Sequence, residues 1–190
     1  MILSILIPTL PEPESQAYLH RLRGLLAPQI VEGVEIVEDC SPRNIPTGSK
    51  RNALIDRAQG QYFCQIDTDD IVPNYYVKEL LAAIQKSPDV ITFKGFMTTD
   101  GGNRANFTIK LGERYEERRG QYIRYPNHLC AFKRDLVKHV RFEPIWIQED
   151  YIWATKIRDL GLLKTEVHIE KDMYHYDYKN KNKMVIPRRR

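Results

Sequence analysis

The chain has 190 residues, of which 42% are hydrophobic and 28% are charged, and its formal net charge is +4. These values are ordinary for a globular protein and argue against a largely disordered chain. One core can account for this length, and no Gly/Ser-rich or Pro-rich linker divides the sequence, so we predict a single domain.

The chain begins with an apolar run at residues 1–7, which Pro8 interrupts. No basic residue precedes the run and it is too short to cross a bilayer, so it predicts a buried strand, without a signal peptide or membrane span. On this basis we expect a cytoplasmic protein. Three scattered cysteines and five scattered histidines indicate neither a disulfide framework nor a zinc site.

Helical and extended patterns alternate after the first strand. Leucines recur at helical spacing over 19–26, an apolar segment at 34–37 predicts a second strand, and a helix is expected at 48–58. A third strand is predicted at 61–66. This alternation predicts an α/β fold with a mostly parallel central sheet, right-handed crossovers and helices on both faces.

Three carboxylates, Asp67, Asp69 and Asp70, directly follow the third strand. Ligands of open α/β sheets bind beside the carboxyl ends of the strands, which is where these acids are expected. Nearby like charges repel unless they are hydrated or share a cation, and oxygen donors suit Mg²⁺ or Mn²⁺. The alternative is structural, because Asp after a strand is also common in turns and at helix N-termini.

Charged residues also begin two of the predicted helices. Lys50 and Arg51 oppose the positive end of the helix dipole, so either they hold an anion there with free backbone N–H groups or they point into solvent. Glu149 and Asp150 begin a later helix, where acids also have a structural explanation as dipole-stabilising residues.

The rest of the sequence predicts further elements of both kinds. These are a helix at 73–85, a strand at 88–93, a polar hairpin or mobile loop at 98–120, a strand at 128–132, a short helix at 133–139, a helix from 146, and strands at 163–169 and 173–178. We therefore expect the domain to span 1–178. The basic segment at 179–190 predicts a solvated tail or attraction to a phosphate-rich partner such as nucleic acid.

Four segments together carry a resemblance to a known family. They are 4–9 (SILIPT), 35–41 (EIVEDCS), 50–70 (from KRNAL to DTDD) and 149–150 (ED). In this order they resemble the family 2 glycosyltransferases of the GT-A fold. The resemblance implies a nucleotide-diphosphate sugar donor, with a UDP-sugar expected, a divalent metal, Mn²⁺ or Mg²⁺, and inverting transfer to an acceptor hydroxyl.

The resemblance also implies roles for residues on the donor side. Pro8, Thr9 and Asp39 correspond to nucleotide contacts, with Asp39 accepting a hydrogen bond from a uracil N–H. Lys50 or Arg51 would approach the base or the diphosphate. The chain between Asp39 and Lys50 is shorter than in typical relatives, which implies a trimmed version of the fold.

Further roles follow for the acidic residues. Asp69 and Asp70 resemble the Asp-x-Asp element, one binding the metal and the other the ribose or sugar, with Asp67 beside them. His175 matches a late metal or phosphate ligand of some relatives, or is a strand histidine with an ordinary structural partner.

On the acceptor side the resemblance makes Asp150 the catalytic base, and Glu149 would orient the sugar. In such a transfer the cation neutralises charge on the departing diphosphate, and a carboxylate on the other side takes the proton of the acceptor hydroxyl. The sequence leaves the acceptor open among a glycan, a lipid-linked sugar, a protein and a modified DNA base. It also leaves the oligomeric state open.

Two other functions remain alternatives. A sugar nucleotidyltransferase would carry a Gly-rich phosphate loop after the first strand, where this chain has Pro-Thr-Leu-Pro-Glu-Pro at 8–13. A non-catalytic module that binds a nucleotide sugar or nucleic acid would bind UDP without turnover.

Overall fold

The strands of this protein form one mixed sheet in a computed structural model that describes residues 1–179. The expected basic tail at 179–190 therefore lies, apart from Lys179, outside the described residues. The strands are β1 Leu3–Pro8, β2 Val34–Asp39, β3 Tyr62–Gln65, β4 Val90–Thr99, β5 Gly102–Ile109, β6 Glu116–Arg118, β7 Gln121–Arg124, β8 Ala131–Lys133 and β9 Glu166–Tyr178. The helices are α1 Pro13–Leu26, α2 Thr47–Arg57, α3 Tyr76–Ile84, α4 Arg134–Val137 and α5 Glu149–Asp159, and a 3₁₀ turn, Ala27–Gln29, follows α1.

The sheet order is β2-β1-β3-β8-β4-β5-β7-β6, and β9 pairs with β4. β1 is parallel to β2 and β3, whereas β8 is antiparallel to both β3 and β4, so β4 runs in the direction of β3. α2 packs on β1, β2 and α5, while α3 packs on β4 and β9. This arrangement confirms the predicted α/β fold, with a mostly parallel central sheet flanked by helices.

The later part of the chain differs from the sequence prediction in three places. The two strands predicted at 163–169 and 173–178 are one strand, β9, whose pairing with β4 shifts in register near Lys94. The polar residues Glu170 and Lys171 are exposed at this irregularity, which explains why the apolar pattern breaks there. The segment at 98–120 forms the predicted hairpin rather than a mobile loop, because β4 and β5 pair antiparallel across a turn at 100–101. It also contains β6, and neither β6 nor β7 had a counterpart in the prediction.

Helix α5 is fixed to the core by one aromatic side chain. Trp153 is fully buried, its ring stacks on Phe142 with 4.6 Å between centroids, and its indole N–H donates to the carbonyl of Val140 at 2.8 Å. The rings of Phe132 on β8 and Phe63 on β3 also contact it. This packing holds the first turn of α5 beside the sheet. Among residues 1–179, no helix has the length and apolar character needed to cross a bilayer.

A close approach at Gly48 holds α2 against the loop that leads into α5. A Cβ atom at this position would lie 1.8 Å from the carbonyl oxygen of Glu143, and the Gly48 N–H donates to the carbonyl of Ile145 at 3.1 Å. We therefore expect Gly48→Ala to displace the loop and to lower the free energy of unfolding by about 1–3 kcal/mol, measured by urea denaturation.

The matched control is Gly24→Ala in α1, because a Cβ atom at Gly24 meets nothing within 4 Å. Alanine is the better helix former by roughly 0.5–1 kcal/mol, so this variant is expected to be as stable as the wild type or more stable. Equal destabilisation at Gly48 and Gly24 would show that close packing is not the cause.

Candidate active site

A cavity of about 620 Å³ opens where β3 ends. Five of the side chains predicted from sequence line it, namely Arg51, Asp67, Asp70, Glu149 and Asp150. Carboxylates that the chain separates by some eighty residues therefore face one cavity, since β3 and the start of α5 meet at this edge of the sheet.

Arg51 is the central cation of this cavity and is 3% exposed. Its Nε donates to Glu149 Oε1 at 3.1 Å, and its two terminal nitrogens donate to Gln65 Oε1 at 2.8 Å and Asp67 Oδ1 at 2.9 Å. Burial acts to lower the pKa of Arg51, but the carboxylates of Asp67 and Glu149 raise it above its ordinary value. The alternative that Arg51 points into solvent is therefore wrong, because the side chain is buried and its partners belong to the protein.

His128 was not singled out by sequence, and it links two of the predicted acids. Its Nε2 lies 3.4 Å from Asp67 Oδ2, and its Nδ1 lies 3.3 Å from Asp150 Oδ2 without hydrogen-bond geometry. Burial and the charge of Arg51 lower the pKa of His128, but Asp150 and Asp67 outweigh them and raise it to about 9. The imidazole is therefore a cation at neutral pH.

The same pairings keep two acids ionised. Burial acts to raise the pKa of Asp67, but Arg51 and His128 hold it well below its usual range. Burial also acts to raise the pKa of Asp150, and His128 lowers it to about 2. The side chain of Asp150 remains 34% exposed, so a ligand in the cavity can reach it.

Asp70 and Asp69 differ in their surroundings. Asp70 is 1% exposed, accepting hydrogen bonds from the Tyr174 hydroxyl at 2.7 Å and the Asp177 N–H at 3.1 Å. Burial, with the charge of Asp67, raises the pKa of Asp70 well above its usual value. Asp69 is exposed and its carbonyl accepts from Arg21 at 2.6 Å.

The predicted nucleoside contacts lie together at the ends of β1 and β2. The Thr9 N–H donates to the Asp39 carbonyl at 2.8 Å, and Lys50 Nζ donates to the carbonyl of Thr9 at 2.9 Å and to that of Ser41. Burial lowers the pKa of Lys50. The alternative that Lys50 points into solvent is wrong, because the side chain is buried and joins these two loops.

The Thr9 hydroxyl and the Asp39 carboxylate, both among these predicted nucleoside contacts, differ in their hydrogen bonding. Thr9 Oγ1 is buried and has no hydrogen-bond partner. Asp39 accepts from the Ser41 N–H at 2.9 Å and pairs with Arg57 at 3.1 Å. Pro8 is the last residue of β1 and is buried beside them. These residues do not line the cavity that holds Asp67 and Asp150.

His175 lies on β9, where its backbone and side chain contact neighbouring residues of the fold. Its backbone N–H and carbonyl pair with Ile71, its Nε2 is 2.7 Å from Thr98 Oγ1, and its ring stacks on Phe96 at 4.4 Å between centroids. Burial lowers the pKa of His175. Across residues 1–179, no three His, Cys, Asp or Glu side chains are grouped so that they alone could hold a metal ion.

Comparison with known proteins identifies the family. The model of glycosyl transferase family 2 matches residues 27–146, whereas no curated protein matches the chain. Among solved structures, S. aureus TarS 1-349 superposes with a TM-score of 0.67 at 17% identity, covering 93% of this chain and 60% of that chain. TarS 1-349 in complex with UDP-GlcNAc gives the same TM-score and identity, with coverages of 95% and 59%.

This chain thus spans about 60% of the TarS chain that it matches, and at 17% identity the likeness establishes the fold alone. The family model, in contrast, covers more than half of the 190 residues. The chain therefore belongs to glycosyl transferase family 2 and has the GT-A fold.

Proposed function

We propose that this protein transfers a sugar from a nucleotide-diphosphate donor, a UDP-sugar, to an acceptor hydroxyl. The observation that carries the proposal is that Asp67 and Asp70, which follow β3, and the partly exposed Asp150 line one cavity. Its volume of about 620 Å³ lies within the range of small-molecule sites. The TarS structures of the same fold include complexes with UDP and with UDP-GlcNAc, which supports this donor class.

The nucleoside would bind at the ends of β1 and β2. The buried Thr9 hydroxyl has no partner within the protein, so a ligand group there would satisfy it. Asp39 is held in place by Ser41 and Arg57, and its carboxylate would accept a further hydrogen bond from a base N–H. Pro8 would border this position at the end of β1.

The acids at the end of β3 would hold Mn²⁺ or Mg²⁺ together with oxygens of the donor diphosphate, since protein side chains alone do not complete a site among residues 1–179. Asp69 and Asp70 would supply oxygen ligands, and the raised pKa of Asp70 reflects burial and repulsion from neighbouring carboxylates that a cation would relieve. We propose that these two residues hold the ion, with His175 contributing after exchanging its Thr98 contact. When bound, the ion supplies neutralisation of the charge on the departing diphosphate.

Asp150 would act as the base. An acceptor hydroxyl forms a bond to the anomeric carbon of the sugar while the bond from that carbon to the diphosphate oxygen breaks, and the hydroxyl proton passes to the Asp150 carboxylate. Attack opposite the leaving group inverts the anomeric configuration. Glu149, fixed by Arg51, would orient the sugar beside this base.

The proposed function is tested with a panel of UDP-, GDP- and ADP-sugars, each with Mn²⁺ or with EDTA, scored by free nucleotide. We expect the protein to release UDP from a UDP-sugar, and we expect Mn²⁺ to stimulate this release. Asp69→Asn should lose most of the stimulation by Mn²⁺. Asp172→Asn is the control and is expected to leave UDP release unchanged, because Asp172 is a half-exposed acid paired with Arg104. UDP binding without nucleotide release from any donor would contradict the enzyme proposal.

A further inference from the structure

Charged side chains from four parts of the fold close a ring at the cavity. Asp67 contacts Arg51 at 2.9 Å, and Arg51 contacts Glu149 at 3.1 Å. The next residue, Asp150, lies 3.3 Å from His128, which returns to Asp67 at 3.4 Å. The ring therefore connects the acidic segment after β3 to the first turn of α5 by two separate routes.

His128 and Arg51 make these two connections differently. Arg51 acts through Glu149, whereas His128 contacts the proposed base itself. His128 is 7% exposed, and the segment that carries it, just before β8, is tied by the Cys130 N–H donating to the carbonyl of Asn127 at 3.0 Å. The imidazole is thus held between two carboxylates from different elements.

We propose that His128 is a positioning residue that ties the Asp150 carboxylate to Asp67 and so fixes the acceptor base relative to the donor side of the cavity. The inference rests on the proposed role of Asp150. His128 contacts no reacting atom in this arrangement. Its effect is exerted through the place and orientation of Asp150.

The geometry requires a particular protonation state. A neutral imidazole has one N–H donor and one acceptor nitrogen, and an acceptor nitrogen facing a carboxylate oxygen is repelled. Both ring nitrogens of His128 face carboxylates, at 3.4 and 3.3 Å, so the arrangement favours the imidazolium, in which both nitrogens carry protons. The raised pKa of His128 agrees with this requirement.

The charged groups around His128 determine the pH at which its contacts with Asp67 and Asp150 are lost. Asp67 and Asp150 favour the cation, whereas burial and Arg51 on α2 oppose it, and the balance raises the pKa of His128 to about 9. Burial raises the pKa of neighbouring Tyr115 to about 12, so this side chain stays neutral over the same pH range. The tie between Asp150 and Asp67 is therefore expected to weaken as the pH rises through about 9.

The test combines His128→Gln with Asp150→Asn and with the double variant. We expect His128→Gln to lower kcat for UDP release roughly 10- to 100-fold with little change in the donor KM. The reason is that displacing a catalytic group by about 1 Å lowers the rate on the order of 100-fold. The double variant should be no slower than Asp150→Asn alone, because the two residues act as one unit. His20→Gln, an exposed histidine on α1, is the matched control and should retain wild-type kcat.

A second measurement covers the case in which His128→Gln does not fold. In the wild type, kcat should fall as the pH rises through about 9 while the far-UV circular dichroism stays constant. A wild-type kcat that is flat up to pH about 10 overturns the inference. Full activity of His128→Gln together with an inactive Asp150→Asn also overturns the inference but leaves the proposed function standing. Full activity of Asp150→Asn overturns both the inference and the proposed role of Asp150 as the base.

Discussion

Asp150→Asn is expected to lower kcat for transfer by about 10²- to 10⁴-fold while leaving donor affinity nearly unchanged. Asparagine keeps the shape of the side chain at the start of α5 but cannot take the proton of an acceptor hydroxyl. Donor binding is followed by tryptophan fluorescence, because Trp146 borders the cavity and is 56% exposed, whereas Trp153, the other tryptophan, is fully buried.

The competing explanation for Asp150 is structural, since it lies in the first turn of α5, where a carboxylate favours the helix dipole. That explanation predicts a loss of about 0.3–1 kcal/mol of stability and no selective loss of kcat. Asp159→Asn at the exposed end of the same helix is the control for the change of charge. Reduced thermal stability with wild-type kcat in Asp150→Asn would show that Asp150 is only a helix-terminal residue.

The local parts of this site could be predicted because each depends on a short stretch of sequence. A strand followed by Asp67, Asp69 and Asp70 is a pattern of ten residues, and parallel strands bring their carboxyl ends to one edge. For the same reason the acids at the start of α5 were recognised, since they precede an amphipathic helix.

The parts that could not be predicted depend on contacts between distant segments. Nothing near His128 in the sequence indicates that Asp67 and Asp150 lie on either side of its ring, because those contacts arise from the insertion of β8 between β3 and β4. Arg51 is a second example, since cations in the first turn of a helix are ordinarily exposed. Arg51 is buried because Gln65 and Glu149, from distant parts of the chain, face α2 and accept its hydrogen bonds.

Arg51→Met is expected to lower the free energy of unfolding by about 3–5 kcal/mol, because it leaves the buried carboxylate of Glu149 without its cation and Asp67 with His128 alone. Arg51→Lys should recover only part of this loss, since one ammonium cannot reproduce the fork that contacts Asp67, Glu149 and Gln65 together. Urea denaturation at pH 7 measures both variants. Arg141→Met is the control, because Arg141 forms an exposed bidentate pair with Asp56 that is worth at most about 1 kcal/mol.

The pH dependence of stability in acid should then be weaker in Arg51→Met than in the wild type. In the wild type the folded pKa of Asp67 is depressed, so the stability it contributes is present above its ordinary pKa of 3.8 and is lost as the pH falls through the lower folded value. Without Arg51, His128 alone opposes the effect of burial, so the folded pKa of this carboxyl rises toward its ordinary value and less stability is lost on acidification. Parallel stability profiles between pH about 2 and 5 would show that the Arg51 guanidinium does not neutralise Asp67, and the electrostatic account of the cavity would fail with it.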